Sequence, residues 1–151
     1  IDEKEYSLNV LGIERGGENP RKDFAMYSEI KEGISYMFDD MYDKAKAKEI
    51  LSSALTPEKV SEILTTFSTH TISVTHKDEW FTEMKLVAET LGYAPDGKTF
   101  KLSPDKYKGS IADIAMVLRV ALTERTKAPD LFATMEVLGF EKAQKRFGNL
   151  I

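Results

Sequence analysis

The segment from Ser110 to Phe132 constrains the fold more than any other part of the chain. Between Ile111 and Leu122 only Asp113 and Arg119 are charged. Apolar residues recur there at helical spacing and also cover most of the remaining circumference. This pattern is typical of a helix that is buried by neighbours on several sides. We therefore predict a central buried helix.

A polar turn at residues 123–128 follows this helix and carries two cations, Arg125 and Lys127. Pro129 comes directly after the turn. Proline is favoured at a first helical position because its missing N–H would be unpaired there in any case. We predict that a second helix begins at Pro129, so that two helices present a cationic turn between them.

The rest of the chain repeats the helical pattern. Apolar stripes predict helices over residues 2–15, 28–41, 44–55, from 57 onward, 76–91, 129–138 and 140–147, with one helical turn at 103–105. Ser28 and Thr56 are the predicted caps of their helices, and Thr75 is predicted to open a capping box. In the last helix, Lys142, Lys145 and Arg146 are predicted to face solvent.

Strand signals are too few for a sheet. The stretch 65–75 is rich in threonine and serine, but no neighbouring segment offers it a strand partner, so we interpret it as a frayed helix end and a connector. The predicted fold class is all-α, a bundle or cage of about seven to eight helices. We predict two packed sub-bundles, residues 1–72 and 73–151.

Composition excludes several classes of protein. The chain has no cysteine, which excludes disulfides and thiolate metal sites and suits a cytoplasmic protein. No apolar run approaches the roughly 18 to 20 residues of a membrane span, and no signal-peptide pattern opens the chain. We predict a cytoplasmic protein with no membrane partner. The first residue is not methionine, which indicates a fragment of a longer protein.

Charge is distributed unevenly along the sequence. The net charge is −4, yet residues 1–100 hold 12 Lys+Arg against 19 Asp+Glu, whereas residues 101–151 hold 9 against 6. A basic C-terminal third is compatible with a face that meets phosphates while the rest of the surface is acidic.

The sequence offers no catalytic centre and no metal site. His70 and His76 are six residues apart, which does not place them on one face of a helix. Gly16-Gly17 lacks the preceding strand and the following Lys-Ser/Thr of a phosphate loop. The acidic cluster at residues 39–43 lacks the alternating acids and the glycine of a calcium loop.

Two stretches resemble a known family. Residues 118–147, LRVALTERTKAPDLFATMEVLGFEKAQKRF, are similar to the C-terminal motif of bacterial-type glutamyl-tRNA synthetases. Residues 19–25, NPRKDFA, resemble a second patch of that family, about a hundred residues upstream. Val117 stands where the family usually has proline, and Glu124 where it has glycine. The glutamate removes a permissive backbone position from the turn.

The resemblance implies a non-catalytic role. Class I synthetases activate their amino acid with ATP through H-I-G-H-like and K-M-S-K-like signatures, and neither occurs here. What is implied is the C-terminal, anticodon-binding part of a monomeric enzyme that ligates glutamate to tRNA-Glu, with tRNA-Gln left open. No cofactor is expected in this part. ATP and magnesium would belong to the catalytic domain of the same chain, which is also an expected partner.

The same resemblance implies particular residues. Carried onto this sequence, the family motif implies that Arg119, Ala128 and Leu131 approach the anticodon bases. A guanidinium can bond or stack on an unpaired base, Ala128 can offer backbone and shape, and Leu131 can offer apolar contact. Phosphate contacts, which raise affinity without reading sequence, are expected from four further cations: Arg21, Lys22, Arg125 and Lys127.

Other interpretations remain open at this level. Arg119 lies at the edge of the predicted core, where it could pair with Asp113 or Glu136 instead of meeting RNA. The cations of the turn could serve solubility alone. A helical protein-interaction module and a regulatory domain of a small-molecule enzyme are the alternative functions.

Overall fold

The computed structural model describes residues 2–22, 24, 26–70 and 76–151, and for Tyr27 the backbone alone. Within these ranges the chain forms nine α-helices and two 3-10 turns, at Ser35–Met37 and Pro104–Lys106. No strand occurs among the described residues, so the predicted all-α class is confirmed. The helices are α1 (Glu3–Gly12), α2 (Tyr27–Ile34), α3 (Lys44–Ala54), α4 (Pro57–Thr69), α5 (Lys77–Thr90), α6 (Gly97–Leu102), α7 (Ile111–Thr123), α8 (Leu131–Leu138) and α9 (Phe140–Asn149).

Helix α7 is the centre of the fold, as the sequence predicts. It packs against α3, α4, α5, α8 and α9, and its side chains at Ile114, Leu118 and Leu122 are fully buried. Its start is fixed by a capping box. The Ser110 hydroxyl accepts a hydrogen bond from the Ala112 N–H at 3.3 Å, and the Asp113 carboxylate accepts one from the Ser110 N–H at 2.7 Å.

Helices from distant parts of the sequence pack together around α7. Helix α4 lies along α9, α3 lies on α7, and α1 reaches α8. These contacts join the early and late parts of the chain. The division into sub-bundles at residues 1–72 and 73–151 stays a prediction.

Two predicted helix starts are wrong. Helix α8 begins at Leu131 instead of Pro129, because the Asp130 side chain caps it by accepting a hydrogen bond from the Ala133 N–H at 3.0 Å. Helix α2 begins at Tyr27 instead of after Ser28, with the Glu29 carboxylate turned back to the Met26 N–H at 3.2 Å.

Two predicted helices end early, and one helix was not predicted. The helix expected over 28–41 ends at Ile34 and continues only as a 3-10 turn. The helix expected over 2–15 ends at Gly12, and Glu14 then adopts a left-handed conformation with φ +58°. Helix α6 lies in a stretch whose proline and glycine content gave no helical signal, whereas the predicted turn at 103–105 is confirmed.

The connector expected over 65–75 falls partly outside the described residues, as does Thr75 of the predicted capping box. Helix α4 runs to Thr69, and α5 has His76 at its N-cap. Trp80 of α5 is 5% exposed and belongs to the core. Across the described ranges, no helix has both the length and the apolar character that a bilayer span would need.

Candidate nucleic-acid interface

The turn after α7 is built on a left-handed glutamate. Glu124 has φ +50° and ends α7. Its side chain is 3% exposed, and its carboxylate accepts a hydrogen bond from the Asp43 N–H at 3.1 Å, at the start of α3. The glutamate therefore adopts the backbone conformation that glycine favours, and its buried hydrogen bond ties the turn to α3.

Arg125 packs the turn against the end of α2. Its guanidinium donates to the Gly33 carbonyl oxygen at 3.3 Å and to the Glu32 carbonyl oxygen. It also lies 5.2 Å from the centroid of the Tyr36 ring. A cation is favourable at a helix C-terminus, where carbonyl groups lack helical partners. The predicted phosphate-contacting Arg125 is thus half-buried and already engaged within the protein.

A cavity of about 270 Å³ opens beside this turn, and we call it the turn cavity. Four of the seven predicted site residues line it: Arg21 from the upstream patch, and Arg125, Lys127 and Ala128 from the turn. The two stretches lie about a hundred residues apart in sequence, and the fold brings them to one place. The remaining lining residues are Phe24, Glu29, Glu32, Gly33, Tyr36 and Pro129.

The chemistry of the turn cavity suits an unpaired nucleotide. Phe24 is half-buried and supplies an aromatic ring on which a base can stack, whereas Tyr36 is 2% exposed and forms the floor of the cavity beneath Arg125. Lys127 is exposed and can reach a phosphate. Phe24 approaches α2 so closely that a Cβ at Gly33 would overlap its ring, which explains why residue 33 is a glycine within a helix. Phe24 lies in the upstream patch but was given no role of its own there, and Tyr36 was not singled out from the sequence.

Three predicted site residues lie outside the turn cavity. Lys22 is exposed. Leu131 is 6% exposed and belongs to the core, so its side chain offers a base little surface for the apolar contact expected from the motif. Arg119 is half-buried on α7.

The alternative interpretation of Arg119 does not appear in the structure. Asp113 is used in the capping box of α7, and Glu136 is exposed. Neither of these carboxylates forms a salt bridge with Arg119 in the described part of the chain. The Arg119 Nε is buried with no hydrogen-bond partner. A buried donor without a partner is uncommon in native proteins, so the Arg119 guanidinium keeps hydrogen-bonding capacity that the described residues do not use.

The prediction that Arg146 faces solvent is wrong. Arg146 is 5% exposed. Its guanidinium donates to the carbonyl oxygens of Tyr36 at 2.6 Å and Leu122 at 2.7 Å, and to the Asp39 carboxylate at 2.9 Å. It lies 4.2 Å from the centroid of the Tyr42 ring. The unmet carbonyls at the ends of α7 and the first 3-10 turn draw this side chain inward. Of its neighbours on α9, Lys145 is exposed as predicted, and Lys142 is half-buried.

A second, larger cavity of about 720 Å³ lies along the whole of α9. Lys142 and Arg146 meet Asp39 there, with the Lys142 Nζ 2.8 Å from the carboxylate. Burial acts to raise the pKa of Asp39, but the hydrogen bonds and charges of Lys142 and Arg146 outweigh it and hold that pKa below its ordinary value. At the same edge, burial raises the pKa of Tyr42 to about 12.

The lowered pKa of Asp39 predicts a dependence of stability on pH. Because the folded-state pKa lies below the unfolded value, the ionised carboxylate stabilises the fold above about pH 4, and this contribution is lost as pH falls through the folded pKa. We expect the stability difference between wild type and Asp39→Asn to be present at pH 7 and to vanish in acid. Urea unfolding of both proteins from pH 7 downward through the acid range measures it, and a difference that stays the same at every pH would contradict the assignment.

The histidines form no metal site with the described residues. His70 Nε2 lies 2.7 Å from the Glu83 carboxylate and links α4 to α5. No group of three or more metal-ligating side chains occurs among residues 2–22, 24, 26–70 and 76–151.

Comparisons with known proteins identify a family and relatives for this chain. Residues 99–151, which contain the end of α6, all of α7 to α9 and the turn, match the family model described as an anticodon binding domain. The glutamate–tRNA ligase of Clostridium perfringens SM101 is 40% identical over 139 residues, covering 91% of this chain and 25% of the relative. Those of Clostridium beijerinckii and Sorangium cellulosum are 38% and 31% identical and cover 94% and 97% of this chain. No solved structure matches the chain.

Residues 99–151 of this all-helical chain therefore match the anticodon-binding class. Over nearly its whole length the chain is similar to bacterial glutamate–tRNA ligases, and it spans about a quarter of the length of the curated relatives it matches. The resemblance stated from the two sequence patches is confirmed.

Proposed function

We propose that this chain recognises the anticodon of tRNA-Glu as the non-catalytic part of a glutamate–tRNA ligase. The observation that carries the proposal is the turn cavity, which is lined by Arg21, Arg125 and Lys127 together with two aromatic rings. The family match over 99–151 and the ligase relatives support it. Tolerance of tRNA-Gln, the monomeric state and the cytoplasmic location stay predictions.

The parent reaction is proposed from the relatives. It is the ATP-dependent ligation of glutamate to tRNA, with ATP and magnesium bound in the catalytic domain. This chain would hold the bound tRNA in position relative to that domain. Anticodon bases are unpaired and can be splayed outward, which is how proteins usually read RNA sequence. In this proposal Arg119 reads a base, the ring of Phe24 stacks on a base, and Lys127 contacts a phosphate.

Arg119 and Lys127 should respond differently when they are replaced. Arg119→Ala is expected to weaken tRNA-Glu binding by roughly 10- to 100-fold and to abolish the preference over an unrelated tRNA, because a base contact carries sequence information. Lys127→Ala should weaken both tRNAs alike and lower the salt slope by about 1, because it removes one phosphate contact. Fluorescence titration at two salt concentrations measures both effects.

Lys98→Ala is the matched control, since Lys98 is an exposed cation on α6 that does not line the turn cavity. It should change neither affinity nor preference. A wild-type chain that shows no preference for tRNA-Glu at any salt concentration would contradict the proposal and would favour the protein-interaction module.

A further inference from the structure

Glu14 has an unusual backbone conformation beside the turn cavity. It follows α1 with φ +58°, and with Glu124 it is one of two non-glycine residues with positive φ in the described ranges. Such a conformation is uncommon for a residue with a Cβ and persists where the surroundings over-determine it. For Glu124 the buried hydrogen bond to the Asp43 N–H is the reason. The positive φ of Glu14 requires a separate explanation.

The reason for Glu14 lies in three hydrogen bonds. Its carboxylate oxygen Oε2 accepts from the Arg21 Nη1 at 3.2 Å and from the Asp130 N–H at 3.1 Å. Its carbonyl oxygen accepts from the Arg21 N–H at 2.8 Å. One carboxylate oxygen therefore joins the upstream patch to the turn that precedes α8.

The Asp130 end of this connection is itself anchored. The Asp130 side chain caps α8 and lies 2.6 Å from the Lys77 Nζ at the start of α5. Asp130 follows Pro129, whose side of the turn lines the cavity. By accepting from the Asp130 N–H, Glu14 fixes the turn on one side of the cavity. By accepting from the Arg21 guanidinium, it fixes the upstream patch on the other side.

We propose that Glu14 is a positioning residue for RNA binding, an acid that increases affinity for tRNA by holding Arg21 and the turn in register across the cavity. The proposal rests on the proposed function, because tRNA is the ligand whose binding it assists. It predicts a change in RNA affinity of unusual sign. Removing a negative charge near a phosphate-binding surface ordinarily strengthens RNA binding, whereas removing Glu14 should weaken it.

Paired substitutions test this sign. Glu14→Asn keeps a residue that tolerates the left-handed conformation but has too short a side chain to reach both donors. Glu18→Asn is the matched control, since Glu18 is exposed in the same loop and loses the same charge. In tRNA-Glu titrations we expect Glu14→Asn to bind on the order of 10-fold more weakly with a reduced salt slope. Glu18→Asn should bind as tightly as wild type or more tightly.

Further variants separate positioning from a general loss of structure. Glu14→Gln keeps the length and one accepting oxygen, so it should recover part of the affinity. In an Arg21→Ala background, Glu14→Asn should cost less than it does alone, because part of its effect passes through Arg21. Circular dichroism should show the same melting midpoint for Glu14→Asn and wild type within a few degrees.

Each outcome decides between the two proposals. If Glu14→Asn binds tRNA-Glu as tightly as Glu18→Asn while Arg119→Ala still loses selectivity, the role of Glu14 is overturned and the proposed function stands. If the wild type has no preference for tRNA-Glu, both are overturned. If Glu14→Asn melts early, Glu14→Gln decides in a folded chain: affinity between those of wild type and Glu14→Asn supports positioning, and affinity equal to that of Glu18→Asn overturns it.

Discussion

Arg146→Ala is expected to lower the free energy of unfolding by about 2–4 kcal/mol, although the sequence places Arg146 in a polar helix end. The side chain is 5% exposed and donates to two backbone carbonyls. Alanine leaves the carbonyls of Tyr36 and Leu122 without this donor in a space that water reaches poorly, and an unsatisfied buried polar group costs about 1–3 kcal/mol. It also removes the packing of the guanidinium on the Tyr42 ring.

Urea unfolding followed by circular dichroism measures this effect. Lys145→Ala is the control, because Lys145 is the exposed neighbour on the same helix, and its change should stay within about 0.5 kcal/mol. Arg146→Lys should fall between the two, since an ammonium lacks the planar fork that reaches three acceptors at once. If Arg146→Ala unfolds at the same urea concentration as Lys145→Ala, the three hydrogen bonds do not hold these elements together.

Arg146→Ala should also change the shape of the turn cavity. Arg146 bonds the carbonyl oxygen of Tyr36, and the ring of Tyr36 lines the turn cavity and faces Arg125. The 3-10 turn at Ser35–Met37 therefore lies between two arginines, one on each side. Loosening one side should let the ring move, so Arg146→Ala should bind tRNA more weakly even under conditions where it is folded.

Gly109→Ala is expected to destabilise the protein by about 2–4 kcal/mol, because it disturbs the start of the central helix. A Cβ at this position would meet the Asp113 carboxylate and would lie 3.1 Å from the buried Tyr93 ring. Asp113 completes the capping box of α7 by accepting from the Ser110 N–H. A methyl group here must displace the cap or strain the ring.

Gly97→Ala is the matched control for this substitution. A Cβ at Gly97 would meet nothing within 4 Å, and the residue is the exposed first position of α6. The same change should therefore stabilise the protein by up to about 1 kcal/mol, because alanine restricts the unfolded chain. Urea midpoints should move in opposite directions for the two variants. Equal shifts would show that space at Gly109 does not control the capping box.

Local patterns in the sequence determined the fold class and the central element. Residues 111–122 are apolar nearly all round, and only a helix buried on several sides satisfies that pattern. The ends of helices were less predictable, because a cap depends on which side chain reaches the free N–H groups. Asp130 and Glu29 make such contacts where Pro129 and Ser28 were expected.

The candidate site divides in the same way. The cationic turn and the upstream patch were recognisable because the residues of each are contiguous in sequence. The fold then places Arg21, Arg125 and Lys127 around one cavity. Which cations remain free was not recognisable. Arg125 and Arg146 carry the same charge as Lys127, yet both are held by carbonyl groups of distant elements.

The sequence by itself determined that this chain is an all-helical protein around one buried helix, with a resemblance carried by two patches. Only the tertiary structure decided that Glu14 joins those patches and that Arg146 is internal. The physical reason is that helical periodicity is a local property of neighbouring residues. The partner of a long charged side chain is decided by whichever unmet donor or acceptor the packing of distant helices brings within about 3 Å.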